Sequence, residues 1–445
     1  MHTDSPNPTY NYMNRIVLIG NGFDLAHRLP TRYIDFIDGY FSDICKTITE
    51  ENYGYADEDI VIHLGYGTPD LTHDSEIFRF RDIKSYKELC AYIAIYSKKY
   101  QPAVELSIKN SFLKIICDNF QYNDYQWVDI ENDYFDELIK YIQKGRTKEN
   151  IEAVRKFNDD VRKVEKRLGE YLSGVEEENS ELKAIIELRN NIYSIIETED
   201  IAVSSKRNYY NDLEQVINKY INDEEHVRNR ELSFLSNAFK QLDFYRDYND
   251  QFISEYLDNV INQIKVDDSN IKKVPKYFLA PRQILFLNFN YTATDQLYNS
   301  SISTHIHIHG ELNESKNNPV ILGFGDEYCE EFAQLESLRD NAFVGQIKSS
   351  RYSHTNNYRD FLKFMETEPY QVVILGHSCG NTDRTLLRSL FEHPNCYSIK
   401  PYYHQWKDGD NYNDLAMSIS RIFSDKAKMR DRLVNKSKCK SILGK

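Results

Sequence analysis

Five short runs of this chain carry residue types able to do chemistry on a polar ligand. Gly20-Asn21-Gly22 closes an apolar run, residues 15–20, and precedes a helical pattern. Glycine at such a turn lets a phosphate or ribose approach the backbone, and the next helix offers free N–H groups and a positive dipole end. The plain alternative is a tight turn with no ligand. Asp24 would repel a pyrophosphate, so it caps the helix, contacts a sugar hydroxyl or holds a metal. His27 lies on the same helical face, where a structural role is the commoner one. Asn288 and Asn290 end the run 284–289. Two amides separated by one residue share a side of an extended strand, and they can orient a water or a sugar hydroxyl without adding charge. An Asn turn capping the next helix is the alternative.

His305, His307 and His309 alternate, so in a strand all three project from one face. Such a row suits zinc or another transition metal, with Asp326 or Glu327 nearby, or it supplies a single base, His309, just before Gly310. Gly376-His377-Ser378-Cys379-Gly380 ends another apolar run and leads through Asn381 and Asp383 into a helix. Its spelling is that of the Gly-x-Ser-x-Gly nucleophile elbow. Only His393 and His404 follow it, without the expected acid and histidine arrangement, so a ligand-lining loop is the preferred reading. In Trp127-Val128-Asp129-Ile130-Glu131 two acids flank an apolar residue beside an aromatic. They face a cleft, or they belong to a solvated helix start.

The elements that must position these residues come in two kinds. The continuous apolar run 15–20 reads as a buried strand, followed by a tight turn and a helix over about 33–48. After Pro275 the alternation returns: strands at 284–289, 305–309, 320–322, 372–376 and 397–402, with helices near 293, 358–366, 384–391 and 415–423. Residues 50–85 read as loops. Between about 86 and 271 long amphipathic helices replace strand signals. The best has Phe157, Val161, Val164, Leu168, Tyr171 and Val175 spaced 4-3-4-3-4, a seam for packing within the chain or for a second copy. The expected architecture is α/β: a Rossmann-like parallel sheet made by 14–85 and 272–425, a large all-helical insertion at 86–271, a flexible leader at 1–13 and a basic tail at 426–445.

Composition narrows the function. With 445 residues and 41% apolar content the chain has ample core for more than one domain. No run approaches the roughly 20 apolar residues of a membrane-spanning helix, and the first residues lack the features of a secretory signal. Seven dispersed cysteines read as reduced thiols of a cytoplasmic protein and exclude a four-cysteine zinc module. A net charge of −14 opposes non-specific binding to nucleic acid or an anionic membrane. The tail from 426 reverses this locally, with eight Lys or Arg against Asp431, and reads as a solvated segment.

The run Ile16-Val17-Leu18-Ile19-Gly20-Asn21-Gly22-Phe23-Asp24-Leu25-Ala26-His27, with Leu29-Pro30-Thr31 and Tyr33, resembles the bacteriophage abortive-infection AbiH family. So do Leu287-Asn288-Phe289-Asn290-Tyr291-Thr292, His307-Ile308-His309-Gly310, Gly323-Phe324-Gly325-Asp326, the stretch from Gly376-His377-Ser378 to Asp383, and the Trp127 motif. The resemblance implies an anti-phage protein acting inside the infected cell, in answer to a phage-derived trigger. More distantly, the order of motifs is similar to that of sirtuin-like NAD-binding domains. That likeness implies a nucleotide site formed by Gly20, Asn21, Gly22, Asp24, Asn288, Gly310, Gly376, His377, Ser378 and Asp383, with NAD as substrate. By it, Asn290 positions a water against the anomeric carbon, and His309, 19 residues on, acts as base on a ribose hydroxyl. The chain departs from the sirtuin-like pattern at Asn21, Asp24 and Thr292, and it lacks the zinc module of protein deacetylases. Cleavage of NAD or a related nucleotide at its N-glycosidic bond is therefore the expected reaction, with no metal expected. A metal-dependent hydrolase or nuclease built on the histidine row, and a non-catalytic sensor of a nucleotide or phage protein, are the alternatives.

Overall fold

The computed structural model describes residues 12–51, 54–64, 80–99, 104–120, 127–222, 250–266, 268–313, 315 and 317–444. In chain order its strands are β1 (Asn14–Ile19), β2 (Tyr55–Ala56), β3 (Ile60–His63), β4 (Glu105–Ile108), β5 (Ile284–Asn288), β6 (Ser303–His307), β7 (Tyr370–Leu375), β8 (Cys396–Tyr402), β9 (Gln405–Trp406) and β10 (Gly409–Asp410). The first helices are α1 (Asn21–Ala26), α2 (Tyr33–Glu51), α3 (Tyr86–Lys99), α4 (Ser111–Phe120), α5 (Trp127–Ile142) and α6 (Lys148–Glu178).

Five strands form one parallel sheet in the order β6-β5-β1-β7-β8. The protein is thus α/β, and strands from distant parts of the chain meet in one sheet. β1 is buried at every position because both its faces are covered, which is why Ile16 to Ile19 form a continuous apolar stretch and not an alternating one. Its two faces enter different cores. Ile16 and Leu18 join Leu285, Leu287, Val372 and Ile374 under the helices Asn357–Thr367, Arg384–Glu392 and Tyr412–Ile422. Val17 and Ile19 join Phe286, Val373 and Leu375 under Leu188, Ile192 and Tyr298. From β1 the chain builds outward first through β5 and β6 and then, on the other side, through β7 and β8. The direction of winding reverses at β1 and β7, and open parallel sheets bind ligands beyond the carboxyl ends of strands at such a point.

The helical stretch contributes to three hydrophobic clusters. α3, α4, α5 and α6 pack with α2 and with residues 322–347. Leu188 and Ile192 cover the sheet, while Ile201, Leu213, Leu257 and Phe278 pack in one cluster with Tyr12, Met13 and Tyr397. The Phe157–Leu168 seam faces this first cluster, so its apolar stripe is filled from within the chain. Most of the leader lies outside the described residues, but Tyr12 and Met13 are buried. Among the described residues no helix is long and apolar enough to cross a membrane.

Three local expectations are corrected. A small antiparallel sheet, β2-β3-β4, stands where loops and helices alone were expected. β4 alternates exposed and half-buried residues over only four positions, too little for a clear pattern. Residues 320–322 are not a strand. Ile321 donates one bond to the His309 carbonyl at 2.8 Å, but Pro319 has no N–H with which to extend a ladder. The basic tail is docked, not solvated: Arg432 is buried with Nη1 on the Phe391 carbonyl at 2.6 Å, and Val434 and Ile442 donate to Ile399 and Tyr403 on β8 and just beyond it.

Candidate active site

The carboxyl ends of β1 and β7 are pressed together by glycines. Gly22 donates its N–H to the Gly376 carbonyl at 2.9 Å, and a Cβ on Gly22 would stand 2.8 Å from the Gly376 Cα. Gly376 itself has φ +78°, and a side chain there would meet the Phe23 nitrogen at 2.1 Å. Any larger residue at either position must force the two loops apart. The glycines therefore let backbone meet backbone, and the ligand space opens beside this junction.

That space is a cleft of about 530 Å³. Its lining includes Gly20, Asn21, Gly22, Asp24, Asn290, His309, Gly376, His377, Ser378 and Asp383. These come from four separate segments of the chain, brought together at the sheet's carboxyl edge. Two of the expected residues stand elsewhere. Asn288 is fully buried and spends its Nδ2 on the Thr292 carbonyl at 3.1 Å and on Asp295 Oδ1 at 3.0 Å, while its Oδ1 accepts from the Asn290 N–H at 2.8 Å. It shapes the turn that presents Asn290. Gly310 also lies outside the cleft, packed on the Pro319 carbonyl.

Asp383 organises the chemistry. Its Oδ1 faces His309 Nε2 at 3.3 Å and Lys348 Nζ at 2.9 Å, and its Oδ2 faces His377 Nε2 at 3.6 Å. Lys348 Nζ also reaches Glu131 Oε1 at 2.7 Å. His377 Nδ1 accepts the Cys379 N–H at 2.9 Å, which leaves Nε2 as the protonated nitrogen turned toward the carboxylate. His309 Nε2 is shared between Asp383 and the Tyr352 hydroxyl at 3.3 Å, so Nδ1 is the nitrogen left to take a proton. Burial, with Lys348 beside it, lowers the His309 pKa to about 4 despite Asp383, and the ring is neutral at pH 7. Burial pushes Asp383 upward, but Lys348 and His309 outweigh it and hold the carboxylate well below its usual range. Lys348 is buried as well, yet its two carboxylates keep it above the ordinary lysine value.

Asp24 occupies the other wall. Its two oxygens accept from Thr292 Oγ1 at 2.6 Å and Thr294 Oγ1 at 2.5 Å, and burial raises its pKa to about 6 against those hydrogen bonds. This carboxylate is tied to its neighbours and offers a polar edge, not a phosphate cradle. Asn21 Oδ1 accepts from Thr31. Asn290 Nδ2 donates to the Gly20 carbonyl at 3.0 Å, which fixes the amide across the mouth of β1. His27 has the structural role: its ring bridges the Phe23 carbonyl and the Tyr298 hydroxyl, each at 2.8 Å.

The histidine row divides. His305 Nδ1 and His307 Nε2 both face Asp295, at 2.6 and 3.2 Å, behind the cleft, while His309 turns to Asp383. Among the described residues no group of three or more His, Cys, Asp or Glu is arranged to hold a metal ion. Ser378 is exposed at the cleft, and the left-handed residues of its loop are Gly376 and Cys379 (φ +53°), whereas an elbow strains the nucleophile itself.

A family model described as bacteriophage abortive infection AbiH matches residues 16–404. The chain belongs to the AbiH family. Membership implies a role in the abortive infection of bacteriophage. No curated protein and no solved structure matches the chain. The AbiH match spans every segment that lines the cleft up to His404, and the docked C-terminal segment adds Ile442 and Leu443 to the wall from beyond it.

Two residues of this AbiH site escape a motif reading. Lys348 opens the polar run Lys348-Ser349-Ser350-Arg351, which has no repeated acids, and only its burial marks it. Tyr352 follows on the next turn. Glu131 was legible as one of two acids beside Trp127, but the sequence alone does not show which of the pair faces inward.

Proposed function

We propose that this AbiH protein is an abortive-infection effector that binds NAD or a related nucleotide in the β1–β7 cleft and cleaves its N-glycosidic bond. One observation carries the reading: Asn290 and a neutral His309, oriented by Asp383, line the same cleft at the point where the sheet's winding reverses. The parallel strand order, built outward from β1 on both sides, supports a Rossmann-like dinucleotide-binding reading.

In this scheme the ribose lies between Asn290 and His309. The Asn290 Nδ2 is held by Gly20, so its Oδ1 accepts a hydrogen bond from the attacking water. His309 Nδ1 takes a proton from that water or from a ribose hydroxyl, and Asp383 stabilises the imidazolium that results. As the bond to the base breaks, positive charge builds on the sugar ring, and the nearby carboxylates Asp24 and Asp383 favour it. Asp295 engages His305 and His307 behind the cleft, which supports assigning the base role to His309 and not to the row as a whole.

The test is to incubate the purified protein with NAD, with and without a phage-derived activator, and to follow nicotinamide release. Asn290→Ala and His309→Ala should each reduce release by about 10²–10⁴ while the protein stays folded, and each should abolish phage restriction. Activated wild-type protein that restricts phage while NAD stays intact would show the proposal to be wrong.

A further inference from the structure

Glu131 enters the cleft from α5, in the helical layer. α5 is anchored there by Phe135 stacked on Phe324 at 3.8 Å and by Asn132, whose Oδ1 accepts from Asn381 Nδ2 at 3.1 Å. The Glu131 carboxyl is buried, lines the cleft and contacts Lys348, which contacts Asp383, which holds His309. An acid and a base thus stand at opposite ends of one buried chain of charges.

We propose that Glu131 is the general acid of this cleft, protonating a departing purine-type base, so that its substrate class is the neutral N-glycoside of a nucleoside or nucleoside monophosphate. This rests on the N-glycosidic reading above and specifies it. Nicotinamide leaves NAD as a neutral molecule and needs no proton, whereas a purine leaving as an anion is a poor leaving group until a ring nitrogen is protonated. In the reaction the bond from C1′ to the base breaks, and its electron pair goes to the base. The Glu131 proton goes to a base ring nitrogen, water oxygen bonds to C1′, and the water proton goes to His309 Nδ1. Transfer of that proton through solvent to Glu131 restores the site.

The surroundings suit the role. Burial raises the Glu131 pKa to about 7, even though Lys348 pulls it down, so the acid form is populated at neutral pH. Lys348 is then in place to stabilise the carboxylate left behind. Asp383 acts on Glu131 as a like charge, the Thr382 hydroxyl bonds to it, and the Tyr291 and Tyr352 phenols, both held neutral by burial, face it. The charge of the lining agrees with a ligand that has few phosphates. Arg32 is spent on Asp35 at 2.9 Å and Lys348 on Asp383 and Glu131, while Asp24 adds negative charge.

The experiment compares wild type and Glu131→Gln on adenosine, AMP and NAD, measuring adenine and nicotinamide separately. Wild type should release adenine. Glu131→Gln should lose about 10²–10⁴ of that activity, a larger loss than it shows in nicotinamide release from NAD. Wild-type adenine release should also fall as pH rises through about 7, a measurement that needs no variant. Nicotinamide release without adenine release, or equal losses on both substrates by a variant with a wild-type melting curve, overturns the role of Glu131 and spares the N-glycosidic reading. Release of neither base overturns both.

Discussion

Two buried aspartates in this chain each grip two histidines, and their surroundings differ. Asp295 takes His305 on one oxygen and His307 on the other, and the Asn288 amide completes its shell. Asp383 takes His309 and His377 in the same way, but Lys348 joins it and the group faces the cleft. Both carboxylates are held below their usual range by their partners, against the upward push of burial. The electrostatics are therefore nearly the same. What separates a structural clamp from a candidate catalytic group here is access: Asp295 is fully buried and lies outside the cleft lining, whereas His309 and His377 both border open space. Histidine paired with aspartate is a motif of stability as readily as one of catalysis.

The sharpest way to break this comparison is to remove each carboxylate in turn. Asp383→Asn should reduce activity per folded molecule by about 10²–10⁴, because His309 loses its orientation and the partner for its imidazolium form. Asp295→Asn should leave activity per folded molecule close to wild type. Kinetics normalised to the folded fraction decide the point, and equal losses in the two variants would erase the distinction. Stability should not show the same contrast, because both carboxylates are buried and paired. Breaking a buried ion pair by removing one partner typically costs about 3–5 kcal/mol, and Asp295→Asn should show that loss in denaturant titration. A stable Asp295→Asn protein with no activity would mean that the sealed cluster serves the reaction after all.

The same comparison shows what the sequence could and could not reveal. The α/β class and the strand ends that carry Gly20, Asn290 and Gly376 were legible, because strands buried on both faces are unbroken apolar runs and polar residues at their ends stand out. The histidine row was legible as a row and misleading as a site. Alternation tells which residues share a face, but not that Asp295, on the turn after β5, claims the first two of them. Asn288 and Asn290 posed the same problem: one amide shapes the turn and the other faces the cleft. Lys348 was out of reach, since a lysine inside a polar run looks solvated until the fold closes Glu131 and Asp383 around it. The docked tail was missed for a related reason, as Arg432 is buried only because β8 lies beside it.

The finest test concerns the pH dependence of stability, where two residues of the cleft oppose each other. His309 has an ordinary pKa of 6.5 and a folded value of about 4. Between these values the unfolded chain carries the proton and the native one does not, so acidification through this window destabilises the protein. Asp24 is the mirror case, with an ordinary value of 3.8 and a folded value of about 6. There the native state holds the proton that the unfolded state has lost, so stability falls as pH rises through the window. Each effect is on the order of 3 kcal/mol, that of Asp24 slightly the smaller. In the wild type the two slopes largely cancel between pH 4 and 6, and each single variant should expose the other residue. His309→Gln should become less stable relative to wild type as pH rises from 4 to 6, and Asp24→Asn more stable. Denaturant titrations of the three proteins at several pH values measure this directly. Parallel stability profiles for all three would show that neither group is perturbed as its burial requires, and would remove the basis for treating His309 as a neutral base lining the cleft.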